Sequence, residues 1–146
     1  MTSYTQKLIL VISVSLSALI RIYGCSCSSG GSIAESVRVA SVVFSGTVLS
    51  VNASSDHRWS VYKIKIDRLF KGKVKANTIA VWTPGEGTAC GIKFKSKKVL
   101  VYATDAAFYR PQPYTRGISF YTNVCTRSGS YLLSEEKGML KALSRV

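Results

Sequence analysis

Two cysteines separated by a single residue, Cys25-Ser26-Cys27, constrain the fold of this chain more than any other feature. The 146-residue sequence contains 4 cysteines, the other two being Cys90 and Cys125. An even number of cysteines in a secreted chain predicts disulfide bonds. A bond between Cys25 and Cys27 is sterically unfavourable, because only one residue separates them. Two long-range pairings remain, and in either one both ends of the tripeptide are attached to distant parts of the fold.

The segment ahead of the tripeptide has the pattern of a secretory signal peptide. It carries Lys7, then an apolar run over residues 8–20, and small Gly24 directly before the first cysteine. The run is shorter than the roughly 20 residues of a membrane-spanning helix, so we expect no membrane span. Removal of residues 1–24 would leave Cys25 as the first mature residue, with a free α-amino group. Cleavage near Ala18 is the alternative, and the residues before the cysteine form a poor lipoprotein signal.

Residues 25–146 are enough for one compact domain. Either long-range pairing would close loops of about 65 to 98 residues, each restricting the unfolded chain by roughly 4–5 kcal/mol. The competing interpretation of the cysteines is a zinc site. However, Cys-x-Cys followed by two isolated cysteines lacks the paired spacing of such sites. We therefore predict disulfides and no cofactor of the protein's own.

The charge is strongly positive, at +13 in total, and loss of Lys7 and Arg21 with the signal segment would lower it to +11. Outside the cell such a balance favours sulfated polysaccharide or an anionic matrix as partner, because nucleic acid is scarce there. The candidate polyanion-binding residues are Lys63, Lys65, Lys71, Lys73 and Lys75. The alternative is that these lysines form an ordinary solvated surface.

The hydrophobic pattern is mainly that of β-strands. The predicted strands cover residues 40–51, 59–70, 78–83, 99–103 and 118–124. In the second, Ile64 and Ile66 should face inward while Lys63 and Lys65 face outward, and Gly46 should mark a bulge in the first. Five antiparallel strands with short flanking helices fit a Greek-key barrel of the OB type, with a β-sandwich as the alternative.

Two helices are predicted at the ends of the domain. Ser32 and Glu35 have the spacing of a capping box, so a short helix should follow Ser32. A second helix should cover residues 134–144, with Ser134 as its N-cap and Gly138 as a weak point. We expect its buried side to consist of Met139, Leu140 and Leu143.

Residues for catalysis are scarce. The only histidine, His57, lies beside Asp56 in a polar loop, which is far more often a solvated turn than a catalytic pair. There is no Gly-rich phosphate loop, and the 7 acidic residues form no obvious pair. With the cysteines assigned to disulfides, no thiol nucleophile remains. We therefore predict a binding protein and no enzyme. Asn52-Ala53-Ser54 is a glycosylation sequon, so we expect a glycoprotein.

Several segments in order resemble the netrin-like module, and specifically the tissue inhibitors of metalloproteinases. These segments are Cys25-Ser26-Cys27, residues 40–48, Phe70-Lys71-Gly72, Thr88-Ala89-Cys90-Gly91, residues 97–102 and Cys125. The resemblance covers nearly all of residues 25–146. It implies an OB-type barrel with disulfides Cys25–Cys90 and Cys27–Cys125.

The resemblance also implies a function. In that family the α-amino nitrogen and carbonyl oxygen of the N-terminal cysteine, here Cys25, chelate the catalytic zinc of a target protease. The implied protease-binding residues are Cys25, Ser26, Cys27, Ser28, Glu86, Gly87, Thr88 and Ala89. We therefore expect a secreted, monomeric inhibitor of extracellular zinc metalloproteinases, in the extracellular space or matrix.

This sequence departs from the vertebrate inhibitors, which carry a third disulfide in this domain and a second, cysteine-rich domain. A residue near Val37 stands where one of those cysteines would be. The alternative function is a netrin-like module that does not inhibit proteases and binds matrix polysaccharide, including heparan sulfate, or a partner protein.

Overall fold

The computed structural model describes residues 24–27, 31–55, 57–85, 88–109 and 113–145. The predicted signal segment lies outside these residues except for Gly24, and so do Ser28, Glu86 and Gly87. Within the described residues, no helix is both long enough and apolar enough to cross a membrane.

The described residues contain six strands and two α-helices. The strands are β1 (Val42–Ala53), β2 (Trp59–Lys71), β3 (Thr78–Pro84), β4 (Lys98–Asp105), β5 (Ser119–Tyr121) and β6 (Gly129–Ser130). The helices are α1 (Ile33–Val39) and α2 (Leu133–Leu143), and a single 3₁₀ turn, Ala106–Phe108, follows β4.

Five of the strands close into a barrel. Their order is β1-β2-β3-β5-β4, and β1 also pairs with β4, which closes the ring. The predicted OB-type barrel is therefore confirmed. The expectation of purely antiparallel strands is wrong, because β5 runs parallel to β3. A long connection brings the chain back from β4 to insert β5 between β3 and β4, and such a connection permits a parallel pairing. The short β6 pairs with β4 outside the ring.

The pairing of β1 with β2 is irregular at Gly46. The register against β2 shifts between Ser45 and Gly46. A Cβ atom at Gly46 would lie 2.6 Å from the carbonyl oxygen of Lys65, so only glycine allows β2 to approach this closely. An irregularity at this glycine is therefore confirmed, but the prediction that β1 carries the bulge is wrong, because the extra residue, Asp67, lies in β2.

The barrel interior is apolar and draws on every strand of the ring. Its fully or nearly buried residues are Val42, Phe44, Tyr62, Ile64, Ile79, Val81, Val99, Val101, Ala103 and Phe120. In β2, Ile64 is buried and Ile66 packs against this core, whereas Lys63 and Lys65 are exposed, as the alternation predicts. The strand therefore has an inner apolar face and an outer polar one.

The two helices cover one outer face of the barrel. Val37 from α1 and Met139 from α2 are fully buried against Val43 and Leu100 of the strands. A Cβ atom at Gly138 would lie 2.6 Å from the Cδ1 atom of Ile33. The glycine that weakens α2 thus lets the two helices pack closely.

The helix ends agree only in part with the predictions. Ser32 is the N-cap of α1, and its hydroxyl accepts a hydrogen bond from the Glu35 amide at 3.1 Å. The Glu35 carboxylate pairs with Arg38 at 2.6 Å and does not complete the capping box. Helix α2 begins earlier than predicted, so Leu132 is its N-cap and Ser134 lies within its first turn.

The predicted buried side of α2 is also wrong in part. Leu140 is 39% exposed, whereas Glu136 is 7% exposed and Met139 is fully buried. Glu136 is buried because it accepts hydrogen bonds from Arg68 at 3.0 Å and from the Tyr131 hydroxyl. A buried carboxylate needs such partners, and together they place Glu136 where the sequence pattern predicts an apolar residue.

Candidate functional site

The first described part of the predicted site is residues 25–27, which two disulfides attach to the rest of the fold. Cys25 is bonded to Cys90 and Cys27 to Cys125, with Cα–Cα separations of 5.1 and 5.3 Å. These are the pairings that the resemblance implies. All four cysteines are in disulfides, so none offers a thiolate for catalysis or metal binding.

The two disulfides lie side by side. The Cys25 Sγ atom is 3.9 Å from the Cys125 Sγ atom of the other bond. Cys25 is half-buried, while Gly24 and Ser26 on either side of it are exposed. The segment thus lies at the surface, and two disulfides anchor it at Cys25 and Cys27.

The loop that carries Cys90 is fixed at its base. The Gly85 amide donates to the Arg58 carbonyl at 2.8 Å. The Ile92 amide donates to the hydroxyl of Thr83, which is fully buried, at 2.9 Å. Thr88 donates to the Gly85 carbonyl at 2.9 Å. Thr88 and Ala89 are exposed, directly before the cysteine that holds Cys25.

A hydroxyl network organises the loop that carries Cys125. The Thr122 hydroxyl is fully buried and lies 3.1 Å from the Tyr102 carbonyl, 2.7 Å from the Thr126 hydroxyl and 2.9 Å from the Ser128 hydroxyl. Strand β5 ends at Tyr121, directly before this network, so the strand is shorter than predicted. Sequence reasoning missed it, because a Thr-rich stretch after a strand resembles an ordinary continuation of that strand.

The two disulfide loops are also bonded to each other. The Val124 amide donates to the Cys90 carbonyl at 3.1 Å, and the Cys125 amide donates to the Asn123 side-chain oxygen at 3.0 Å. The loops around Cys90 and Cys125 therefore form one base beneath residues 25–27.

An ion pair joins this base to α2. Arg127 donates to Glu135 at 2.6 and 2.9 Å, and also to the Gly31 carbonyl at 2.8 Å. The bidentate hydrogen bonds from Arg127 hold the pKa of Glu135 below its usual value, although burial opposes this shift. Arg127 thus ties the chain between Cys27 and α1 to the rest of the domain.

Four of the five candidate lysines are exposed, whereas the fifth, Lys71, is hydrogen-bonded to α1. Lys63 and Lys65 are exposed on β2, and Lys73 and Lys75 are exposed in the following turn. Lys71 differs, because its ammonium group donates to the Val37 carbonyl at 2.6 Å and to the Arg38 carbonyl at 3.2 Å, at the end of α1. Lys71 therefore stabilises a helix C-terminus.

The sequon lies on an accessible part of the fold. Asn52 is exposed near the end of β1, opposite Val61. The Ser54 hydroxyl accepts from the Trp59 amide at 3.1 Å. Exposure of the Asn52 side chain is compatible with glycosylation.

An aromatic cluster that sequence reasoning missed covers one end of the outer face of β2, β3 and β5. Trp82 and Tyr121 are buried there, and Trp59 packs edge-on against Tyr121 with 6.0 Å between ring centroids. Tyr109 stacks on Tyr121 at 3.7 Å and is 41% exposed. The cluster joins residues far apart in the sequence, so no local pattern reveals it.

Among the described residues, no group of three or more His, Cys, Asp or Glu side chains could hold a metal ion. No protein-family model and no curated protein matches this chain.

Proposed function

We propose that this protein is a secreted inhibitor of zinc metalloproteinases that acts through the main chain of Cys25. The proposal depends mainly on one observation, that two disulfides attach residues 25–27 to the rest of the fold. Cys25 and Cys27 are each bonded to a different loop, and Ser26 between them is exposed. The two disulfides are compatible with an extracellular protein.

The chemistry follows from the open coordination position of a catalytic zinc ion. Such an ion accepts nitrogen and oxygen ligands at about 2.0–2.2 Å and otherwise binds the water that attacks the peptide bond. Cleavage after Gly24 would give Cys25 an α-amino nitrogen and a carbonyl oxygen close enough to bind one metal together. An α-amino group has a reference pKa of about 7.7–8.0, so coordination to zinc near neutral pH requires only a modest shift. The displaced water could no longer be activated.

The two disulfides would increase the affinity of this binding. A free chain end loses conformational entropy when it enters a cleft, and that loss weakens binding. Here the segment is anchored before the protease is met, because the Cys25–Cys90 bond ties it to a loop that is hydrogen-bonded at its base. Ser26 would enter the specificity pocket, with Thr88 and Ala89 alongside it.

The barrel and the two disulfide pairings support the resemblance to the tissue inhibitors of metalloproteinases, which adds weight to this function. A fold of this type also serves other functions, so the inhibitory step needs a direct test.

The test compares two proteins that differ only at the amino terminus. The first begins at Cys25, and the second carries one added alanine before Cys25. A third protein, which begins at Cys25 and carries one added alanine after Val146, is the matched control. We expect the N-terminal extension to weaken inhibition of a matrix metalloproteinase catalytic domain by about 100-fold or more, because the amine no longer reaches the zinc. All three should unfold at the same temperature. Equal inhibition by all three would contradict the proposal.

A further inference from the structure

We propose that the outer face of β2, β3 and β5 binds a sulfated oligosaccharide, with an aromatic platform at one end and lysines at the other. This binding site is independent of the proposed zinc-chelating segment, and it gives a location to the polysaccharide binding that the composition favours.

The platform consists of Trp59 and Tyr109. Their rings pack edge-on with 6.1 Å between centroids, and both rest on Tyr121. Tyr109 is 41% exposed and Trp59 is half-buried, so part of each ring faces solvent. Aromatic faces of this kind stack on the C–H faces of sugar rings, because those faces are the part of a sugar that can make apolar contact.

The lysines continue along the same face. The β2–β3 register is unbroken from Trp59 opposite Pro84 to Lys65 opposite Thr78. Because side chains alternate along a strand, Lys63 and Lys65 lie on the same side of β2 as Trp59. At about 3.3 Å per residue, their Cα atoms lie about 13 and 20 Å from that of Trp59. A ligand that contacts both ends must be an extended polymer.

Further positive charge borders the lysine end. The Lys75 amide donates to the Gly117 carbonyl at 2.9 Å, which brings Lys75 and neighbouring Arg116 beside the start of β5. Both side chains are exposed.

The nearest described acidic groups are already engaged. The Asp105 carboxylate accepts from Tyr114 and from the Ala107 amide, both at 2.8 Å. Asp67, further along β2, accepts from Thr47 at 3.0 Å and pairs with Lys98 at 3.4 Å. Asp67 is thus paired with a lysine, and the four exposed cations Lys63, Lys65, Lys75 and Arg116 outnumber these two carboxylates.

These features favour a sulfated glycan over other polyanions. OB-type barrels use the face of strands 2 and 3 with the adjacent loops for oligosaccharides and oligonucleotides. The two disulfides are typical of oxidising compartments outside the cytosol, where sulfated polysaccharides are abundant and nucleic acid is scarce.

The tryptophans supply the measurement. The chain has 2, Trp59 and Trp82, and both belong to this cluster. Titration of the full chain with a heparin-derived octasaccharide should therefore change the intrinsic fluorescence. The variants are K63S/K65S, Y109S, and the matched control K137S/K141S, which removes the same charge from exposed positions on α2. A desulfated octasaccharide and a single-stranded oligonucleotide are the comparison ligands.

We expect K63S/K65S to bind about tenfold more weakly in 0.15 M salt, since two charge contacts are lost, and K137S/K141S to stay within about twofold of the unmodified protein. The Y109S variant should bind several-fold more weakly at both low and high salt, because stacking is not screened. Any one of four results would overturn the proposal. They are equal losses for the two lysine pairs, unchanged binding by Y109S, tighter binding of the oligonucleotide than of the octasaccharide, and no binding of the octasaccharide by the unmodified protein. None of these outcomes depends on protease inhibition.

Discussion

Removing the two disulfides one at a time separates their structural role from their proposed functional role. The variants are C25S/C90S and C27S/C125S, which delete bonds that span 65 and 98 residues. On the chain-entropy model, loops of these lengths correspond to about 4.3 and 4.7 kcal/mol of lost stability at 25 °C. The two variants should therefore be destabilised by nearly the same amount.

Inhibition should respond differently. In C25S/C90S, residue 25 keeps its α-amino and carbonyl groups but loses its own anchor. In C27S/C125S, Cys25 stays bonded to the loop at Cys90, which is fixed by backbone hydrogen bonds. We expect C25S/C90S to weaken inhibition about tenfold more than C27S/C125S, or about 1.4 kcal/mol of positioning free energy.

The assay combines urea unfolding, read by linear extrapolation, with inhibition constants measured at a temperature where both variants are folded. Unfolding free energies that differ by more than about 2 kcal/mol would refute the loop-length argument. Equal losses of inhibition at equal stability would refute the positioning role of the Cys25–Cys90 bond.

Three further predictions concern the surroundings of the site. Thr122→Val should cost about 1–3 kcal/mol in urea unfolding, because buried hydroxyl partners lose a hydrogen bond, whereas the exposed control Thr78→Val should cost about 0.5 kcal/mol or less. Lys71→Met should cost about 1 kcal/mol in the same assay, since the carbonyls at the end of α1 lose a charged donor; no change would contradict this role. The pKa of Glu135 is lowered by Arg127, so its contribution to stability is present above the unfolded-state pKa of about 4.3 and is lost as the pH falls through the lower folded-state value. The stability difference between the unmodified protein and Glu135→Gln should accordingly shrink between pH 7 and pH 3 in thermal unfolding, and a constant difference would contradict the ion pair.

Local patterns in the sequence predict much of this fold. The alternation in β2, the β-branched runs of β1 and β4, and the cap at Ser32 depend on neighbouring residues, and the structure agrees with each. The register shift at Gly46 was also indicated by the local pattern, because a glycine inside a strand pattern indicates close backbone approach.

Features that depend on long-range contacts were not predictable in this way. The parallel pairing joins β5 to β3, and the Thr122 hydroxyl directly after β5 bonds to the Tyr102 carbonyl of β4; both contacts join residues far apart in the sequence. The buried Glu136 of α2 has its partner Arg68 at a distance of 68 residues in the sequence. The aromatic cluster likewise assembles from three separate strands and a loop.

The free α-amino group of Cys25 is the feature on which the inhibitory account depends. N-terminal sequencing of the protein secreted by a eukaryotic host tests it most directly. The account predicts a mature chain that begins with Cys25, followed by Ser26 and Cys27. A mature chain that begins at Gly24 or earlier would block the amine with a peptide bond and contradict zinc chelation.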